Sequence, residues 1–154
     1  MSRAFTGISH LDLSVSDVEA SADWHQRVLG LSRVRRADFE SRTMIVLVEP
    51  ASGLIIGLNQ HAERPDGTFD ERRVGLDHVG LTVQSRDELA DWEAHLTELG
   101  VEHSAVTDSA SGSGTALVFR DPDNIQLELW WTRPRSTESL VTESLVTESL
   151  VTEQ

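Results

Sequence analysis

Two histidines stand in matching places of near-identical segments: His10 in GISHLDLSV, residues 7–15, and His78 in GLDHVGLTV, residues 75–83. A carboxylate, Glu128, lies far along the chain in NIQLELWW, residues 124–131. Two imidazoles and one carboxylate are the donor set of a 2-His-1-carboxylate metal centre, whose remaining coordination positions stay open for water, substrate or dioxygen. The chain contains no cysteine and no tyrosine. Thiolate ligands, disulfides and cysteine nucleophiles are therefore excluded, and the chemistry falls to His, Asp, Glu, Ser, Thr and Arg.

Residues so distant in sequence act together only if the elements carrying them are placed symmetrically, and those elements repeat. The spacing from His10 to Trp24 equals that from His78 to Trp92, and ADW at 22–24 is answered by ADW at 90–92. Asp17 and Ser85 are side chains of the kind that cap helix N-termini. RVLGL at 27–31 and TELGV at 97–101 put a glycine where a helix closes in the left-handed region. Strand-like runs follow each helix, at about 31–38, 43–48 and 53–60 in the first half and about 102–108, 115–119 and 124–131 in the second. The polar stretch ERPDGTFDERR at 63–73 joins the halves. The order strand, helix, strand, strand, strand is thus predicted twice.

Alternation along a strand decides which side chains share a face. Leu11, Leu13 and Val15 form one side of the first strand, with His10, Asp12 and Ser14 on the other. Val79, Leu81 and Val83 repeat the apolar side, opposite His78, Gly80 and Thr82. In the last strand Glu128 and Trp130 oppose Leu127 and Leu129. The apolar faces are expected to pack on the helices, where Trp24 and Trp92 bring large surfaces. His10, His78 and Glu128 then look into a second, polar space as metal ligands, with Asp12 and Trp130 in the substrate pocket. His25, His95 and His103 read as surface residues.

The formal charge is −13 and all 13 basic residues are arginines. Such acidity is repelled by phosphate backbones and argues against a nucleic-acid partner. Arg33, Arg35 and Arg36 read as a solvated strand edge. No apolar run of about 18 residues and no signal-peptide pattern occurs, so a cytoplasmic protein without membrane contact is expected. SASGSGT at 109–115 reads as a hairpin loop, with no following helix start that would make it a phosphate cradle. Residues 137–153 repeat the unit TESLV without variation, and a five-residue period gives neither helix nor strand a single apolar face. This tail is expected to be a low-complexity extension.

The paired modules, GISHLDLSVSD, GLDHVGLTV and above all FRDPDNIQLELWW at 119–131 resemble the vicinal oxygen chelate superfamily, which gathers glyoxalase I, bleomycin-resistance proteins and type I extradiol dioxygenases. The resemblance implies an α+β fold of two tandem βαβββ modules forming an open, curled mixed sheet. It covers residues 5–133 as one domain: module one at 5–62, the linker at 63–73, module two at 74–133, then the tail at 134–154. It implies a divalent metal, Fe2+, Mn2+, Ni2+ or Zn2+, on His10, His78 and Glu128. At the family's fourth ligand position, alignment of EPASGLIIGLNQ (49–60) with DPDNIQLELWW (121–131) places Gly57 opposite Glu128. Glycine offers no ligand, which weakens a glyoxalase I assignment, and the missing tyrosine departs from the extradiol dioxygenases. Asn59 and His61 share strand parity with Gly57 and are the catalytic candidates, His61 as an acid–base group or an extra ligand. Two functions stay open: a metal-dependent enzyme of dioxygenase or lyase type on a small substrate with neighbouring oxygens, or a metal-free protein that sequesters a small molecule. A homodimer is expected in either case.

Overall fold

A computed structural model describes residue 5, residues 7–64 and residues 67–134. The TESLV repeat lies outside the described residues. In chain order the elements are β1 (Leu11–Ser14), α1 (Val18–Leu29), β2 (Ser32–Asp38), β3 (Arg42–Glu49), β4 (Leu54–His61), β5 (Val79–Thr82), α2 (Arg86–Glu98), β6 (Thr107–Asp108), β7 (Gly114–Arg120) and β8 (Gln126–Thr132). The βαβββ order occurs twice, as the repeat predicts. The strands form two four-stranded sheets, β1-β4-β3-β2 and β5-β8-β7-β6. In each, the first strand of the module runs parallel to the last, and the other pairings are antiparallel.

Local chemistry sets the element ends. The Asp17 carboxylate accepts the N–H groups of Glu19 and Ala20, and Ser85 Oγ accepts that of Glu88, so both helices begin on a side-chain cap. Gly30 and Gly100, at φ 69° and 67°, close them in the left-handed region. The run at 102–108 is shorter than its sequence suggests: His103 makes an isolated bridge to Phe119, and β6 keeps only two residues. Ser104 explains the break, because its Oγ takes the Val118 N–H that a regular ladder would use.

One apolar core lies between the sheets and the helices. Leu13, Val15, Ile45, Leu47, Ile56 and Leu58 come from the first sheet and its flanks, and Leu117, Phe119, Leu127 and Leu129 from the second. Val18, Ala22 and Val28 of α1 and Leu89 and Leu96 of α2 complete it. Trp24 and Trp92 are only half-buried at its margin. The modules are joined through α1. Trp24 stacks on Phe119 with ring centroids 6.3 Å apart, and His95 Nε2 donates to the Val28 carbonyl at 3.0 Å. The Asp123 carboxylate accepts the Ser16 N–H at 3.0 Å.

His25 corrects the sequence reading. It is completely buried, with Nδ1 donating to the Ser21 carbonyl at 2.8 Å. It belongs to the inward stripe Val18, Ser21, Ala22, His25, Val28 and Leu29, whose helical spacing carries the imidazole into the core. His95 and His103, also expected at the surface, are half-buried and hydrogen-bonded. The linker is strapped to module two: Phe69 N–H donates to the Asp123 carbonyl, Asn124 Nδ2 donates back to the Phe69 carbonyl, and Glu71 pairs with Arg120. Among the described residues, no helix is long and apolar enough to cross a membrane.

Candidate metal centre

The register of the two parallel ladders confirms the alignment made on sequence. Asp12 stands opposite Gly57 between β1 and β4, and Gly80 opposite Glu128 between β5 and β8. Gly57 and Glu128 are therefore equivalent positions of the two modules. His10 and His78 sit immediately before β1 and β5, where the chain enters its ladder. Both are exposed, and both line a cavity of about 310 Å³ whose walls include Leu11, Leu54, Val79 and Leu81.

In module two the expected ligands come together. His78 Nε2 lies 3.6 Å from Glu128 Oε2, while His78 Nδ1 is 2.6 Å from Asp77 Oδ1. An ionised carboxylate only accepts, so this contact puts a hydrogen on Nδ1 and turns Nε2 toward Glu128. Module one places a hydroxyl, able to donate or accept, where module two has a carboxylate. Ser9 Oγ is 2.8 Å from His10 Nδ1, and His10 Nε2 lies 3.6 Å from Asp12 Oδ2. Two ligands bound about 2.1 Å from one ion are about 3.0–3.5 Å apart, so each pair has close to the spacing that an ion bridges. Imidazole and carboxylate are donors of the kind a borderline divalent cation takes, and each module brings two of them together. Among the described residues of one chain, no three such donors converge, and His10 remains with Asp12 rather than with His78 and Glu128.

The remaining candidates are placed as follows. Asn59 is buried, and its Nδ2 donates to Asp12 Oδ1 at 3.4 Å. His61 ends β4 opposite Arg42, about 13 Å along the strand from Gly57, and is not among the residues lining the cavity beside His10 and His78. Trp130 is half-buried beside Thr82, its Nε1 donating to Thr132 Oγ1 at 2.9 Å and its ring lying over Gly114.

Sequence reasoning passed over Ser9 and Asp77, although each directly precedes a candidate ligand and can hold its ring. It also passed over a buried polar cluster at the module junction. Asp121 Oδ1 accepts the N–H groups of Asp123 and Ile125, and burial pushes its carboxyl up to about 6. Burial holds the nearby His25 imidazole below its ordinary value. The acidic pair inside DPDN was the available signal.

With the geometry in view, the relatives can be placed. The family model for the Glyoxalase/Bleomycin resistance protein/Dioxygenase superfamily matches residues 7–129, and the chain belongs to that superfamily. A crystal structure of a glyoxylase/bleomycin resistance protein/dioxygenase domain from Frankia sp. EAN1pec is 32% identical, with a TM-score of 0.78 over 86% of this chain and 96% of that one. Catechol-2,3-dioxygenase of Bacillus subtilis (strain 168) is 26% identical over 86% of this chain, which spans only 44% of that enzyme. Metallothiol transferase FosB of Bacillus licheniformis is 27% identical over 80% of this chain and 73% of its own length.

Proposed function

We propose that the protein is a divalent-metal-dependent enzyme acting on a small molecule that offers two neighbouring oxygens, with His10, His78 and Glu128 as ligands. One observation carries the reading: His78 and Glu128 present donors 3.6 Å apart, beside a cavity of about 310 Å³ that His10 also lines. When bound, Fe2+, Mn2+, Ni2+ or Zn2+ would supply Lewis acidity toward the substrate oxygens. The protein's own groups do the rest. Asp77 and Ser9 orient the two rings. Relatives named as a dioxygenase and a metallothiol transferase favour such a centre.

A homodimer belongs to the same reading. β1 and β5 are each the edge of their sheet, and Ile8, Ile55 and Leu76 are exposed around the cavity between them. A second copy meeting these edges would cover that apolar rim and bring one protomer's His10 toward its partner's His78 and Glu128. The test is metal analysis of wild-type protein and of His10→Ala after supply of Fe, Mn, Ni or Zn. Stoichiometric metal in the first and its loss in the second are expected. Wild-type protein that retains none of the four overturns the enzyme reading. Metal-free sequestration of a small molecule is then favoured, in keeping with a single chain in which no three donors converge among the described residues.

A further inference from the structure

We propose that a second cavity, set between the β3–β4 turn and the start of α2, binds an organic cation with an apolar body through Glu49, Glu88 and Trp92. The cavity adjoins the one beside His10 and His78, but none of His10, His78 and Glu128 lines it. The inference therefore stands apart from the metal reading.

The cavity encloses about 670 Å³, within the range of about 300–1,000 Å³ that drug-sized ligands occupy. Leu29, Leu31, Leu54, Leu81 and Leu129 give it apolar walls. Each module adds one carboxylate, Glu49 from the end of β3 and Glu88 from the first turn of α2. Among the described residues no arginine or histidine lines it, and the chain has no lysine. Both carboxylates are held by backbone. Glu49 accepts the N–H groups of Ala51 and Ser52, and Glu88 accepts that of Gln84. Hydrogen bonds from Ser52 and Ala51 keep the Glu49 carboxyl below the usual range, so it stays charged. Neither glutamate forms an ion pair among the described residues.

Trp92 follows Glu88 by one helical turn, on the same face of α2. Its counterpart in module one, Trp24, stacks its ring on Phe119 of the other module. The ladder registers explain why Trp92 does not do the same. Phe119 pairs with Leu127, beside Glu128; the equivalent pair in module one is Leu47 with Ile56, beside Gly57. A leucine stands where the second ring would be. Among the described aromatic groups Trp92 meets only the edge of His95, and it lines the cavity. Indole is the side-chain ring that attracts a cation most strongly. Two carboxylates without a basic partner at the border of an apolar enclosure select the same ligand, because an anion is repelled and a neutral molecule leaves both charges unanswered.

The test uses full-length protein stripped of metal by chelator and dialysed. It is titrated calorimetrically with tetraphenylphosphonium and with tetraphenylborate, which share a shape and differ in the sign of their charge. The cation is expected to bind, and the anion at least about 10-fold more weakly. Glu49→Gln and Glu88→Gln each keep an acceptor for the backbone N–H groups; each should weaken cation binding about 2–5-fold, the losses adding in the double variant. Trp92→Leu keeps an apolar wall and should cost the cation about 2–10-fold. No binding of the cation, equal affinity for the two ions, or unchanged cation binding in the double variant overturns the inference. So does a cation that binds dilute protein and is expelled as sedimentation velocity shows the chain associating, since a second copy then fills the cavity. With metal removed, none of these outcomes touches the metal reading. Should Trp92→Leu fail to melt cooperatively, the glutamate variants decide.

Discussion

Asp77 Oδ1 meets the Nδ1 edge of His78 at 2.6 Å, and that contact selects which imidazole nitrogen faces Glu128. Asp77→Ala frees the ring to rotate and to change tautomer. On the metal reading proposed above, affinity is expected to fall about 10–100-fold. Because Asp77 is exposed, folding stability should move by only about 0.5 kcal/mol. Isothermal titration with Zn(II), paired with a urea melt, checks both numbers; a stability loss that tracks the affinity loss contradicts a positioning role.

Gly114→Ala introduces a Cβ that collides with the Trp131 carbonyl and the Trp130 ring. The carbonyl is backbone of the paired strand and cannot swing aside. A destabilisation of about 1–3 kcal/mol is expected, with a shift of indole fluorescence as Trp130 is displaced. Chemical denaturation of the variant measures the first and its emission spectrum the second.

Two buried groups near the module junction make stability depend on pH in opposite senses. The Asp121 carboxyl sits at about 6, above its ordinary value of 3.8, so it favours the folded state while protonated. That contribution is fully present below the ordinary value and is lost as pH rises through about 6. His25 is shifted below its ordinary 6.5; its contribution is present above that pH and is lost on acidification. Asp121→Asn keeps an acceptor for the Asp123 and Ile125 N–H groups and removes the titration. Relative to wild type, it should gain stability between about pH 4 and 7, by up to about 3 kcal/mol. Urea melts across that range give the answer.

Phe119→Ala removes a buried ring that holds Trp24 of the other module. The expected cost is about 3–5 kcal/mol. Because the contact joins the modules, thermal unfolding followed by fluorescence and by far-ultraviolet dichroism should separate into two transitions where wild-type protein shows one.

The fold was legible because its signals are short-range. Asp17 and Gly30 mark the ends of α1 within a few residues, and the alternation Leu11, Leu13, Val15 shows the buried face without knowledge of any partner strand. The equivalence of Gly57 and Glu128 was legible too, since a duplicated module supplies its own alignment. The contact of Asp12 with Gly57 was not. It depends on the register of two strands 45 residues apart in sequence, which no local pattern encodes. His25 was missed for a related reason: a histidine within a helix reads the same on paper whether its ring is solvated or bonded to the preceding turn. Whether His10 meets His78 depends on how two separate sheets are set against each other, and the pleat within one strand carries no information about that.

The two strands that the histidines lead into are each four residues long and hydrogen-bonded to a single neighbour. Like the other edges, β2 and β6, they should exchange amide hydrogens with deuterium before the inner strands β4 and β8 do. The acid side of module two rests on a stiff inner strand, whereas both imidazoles ride on compliant margins. On the reading proposed above, completing the centre would require only two short ribbons to settle, with the rest of the molecule serving as the frame they settle against.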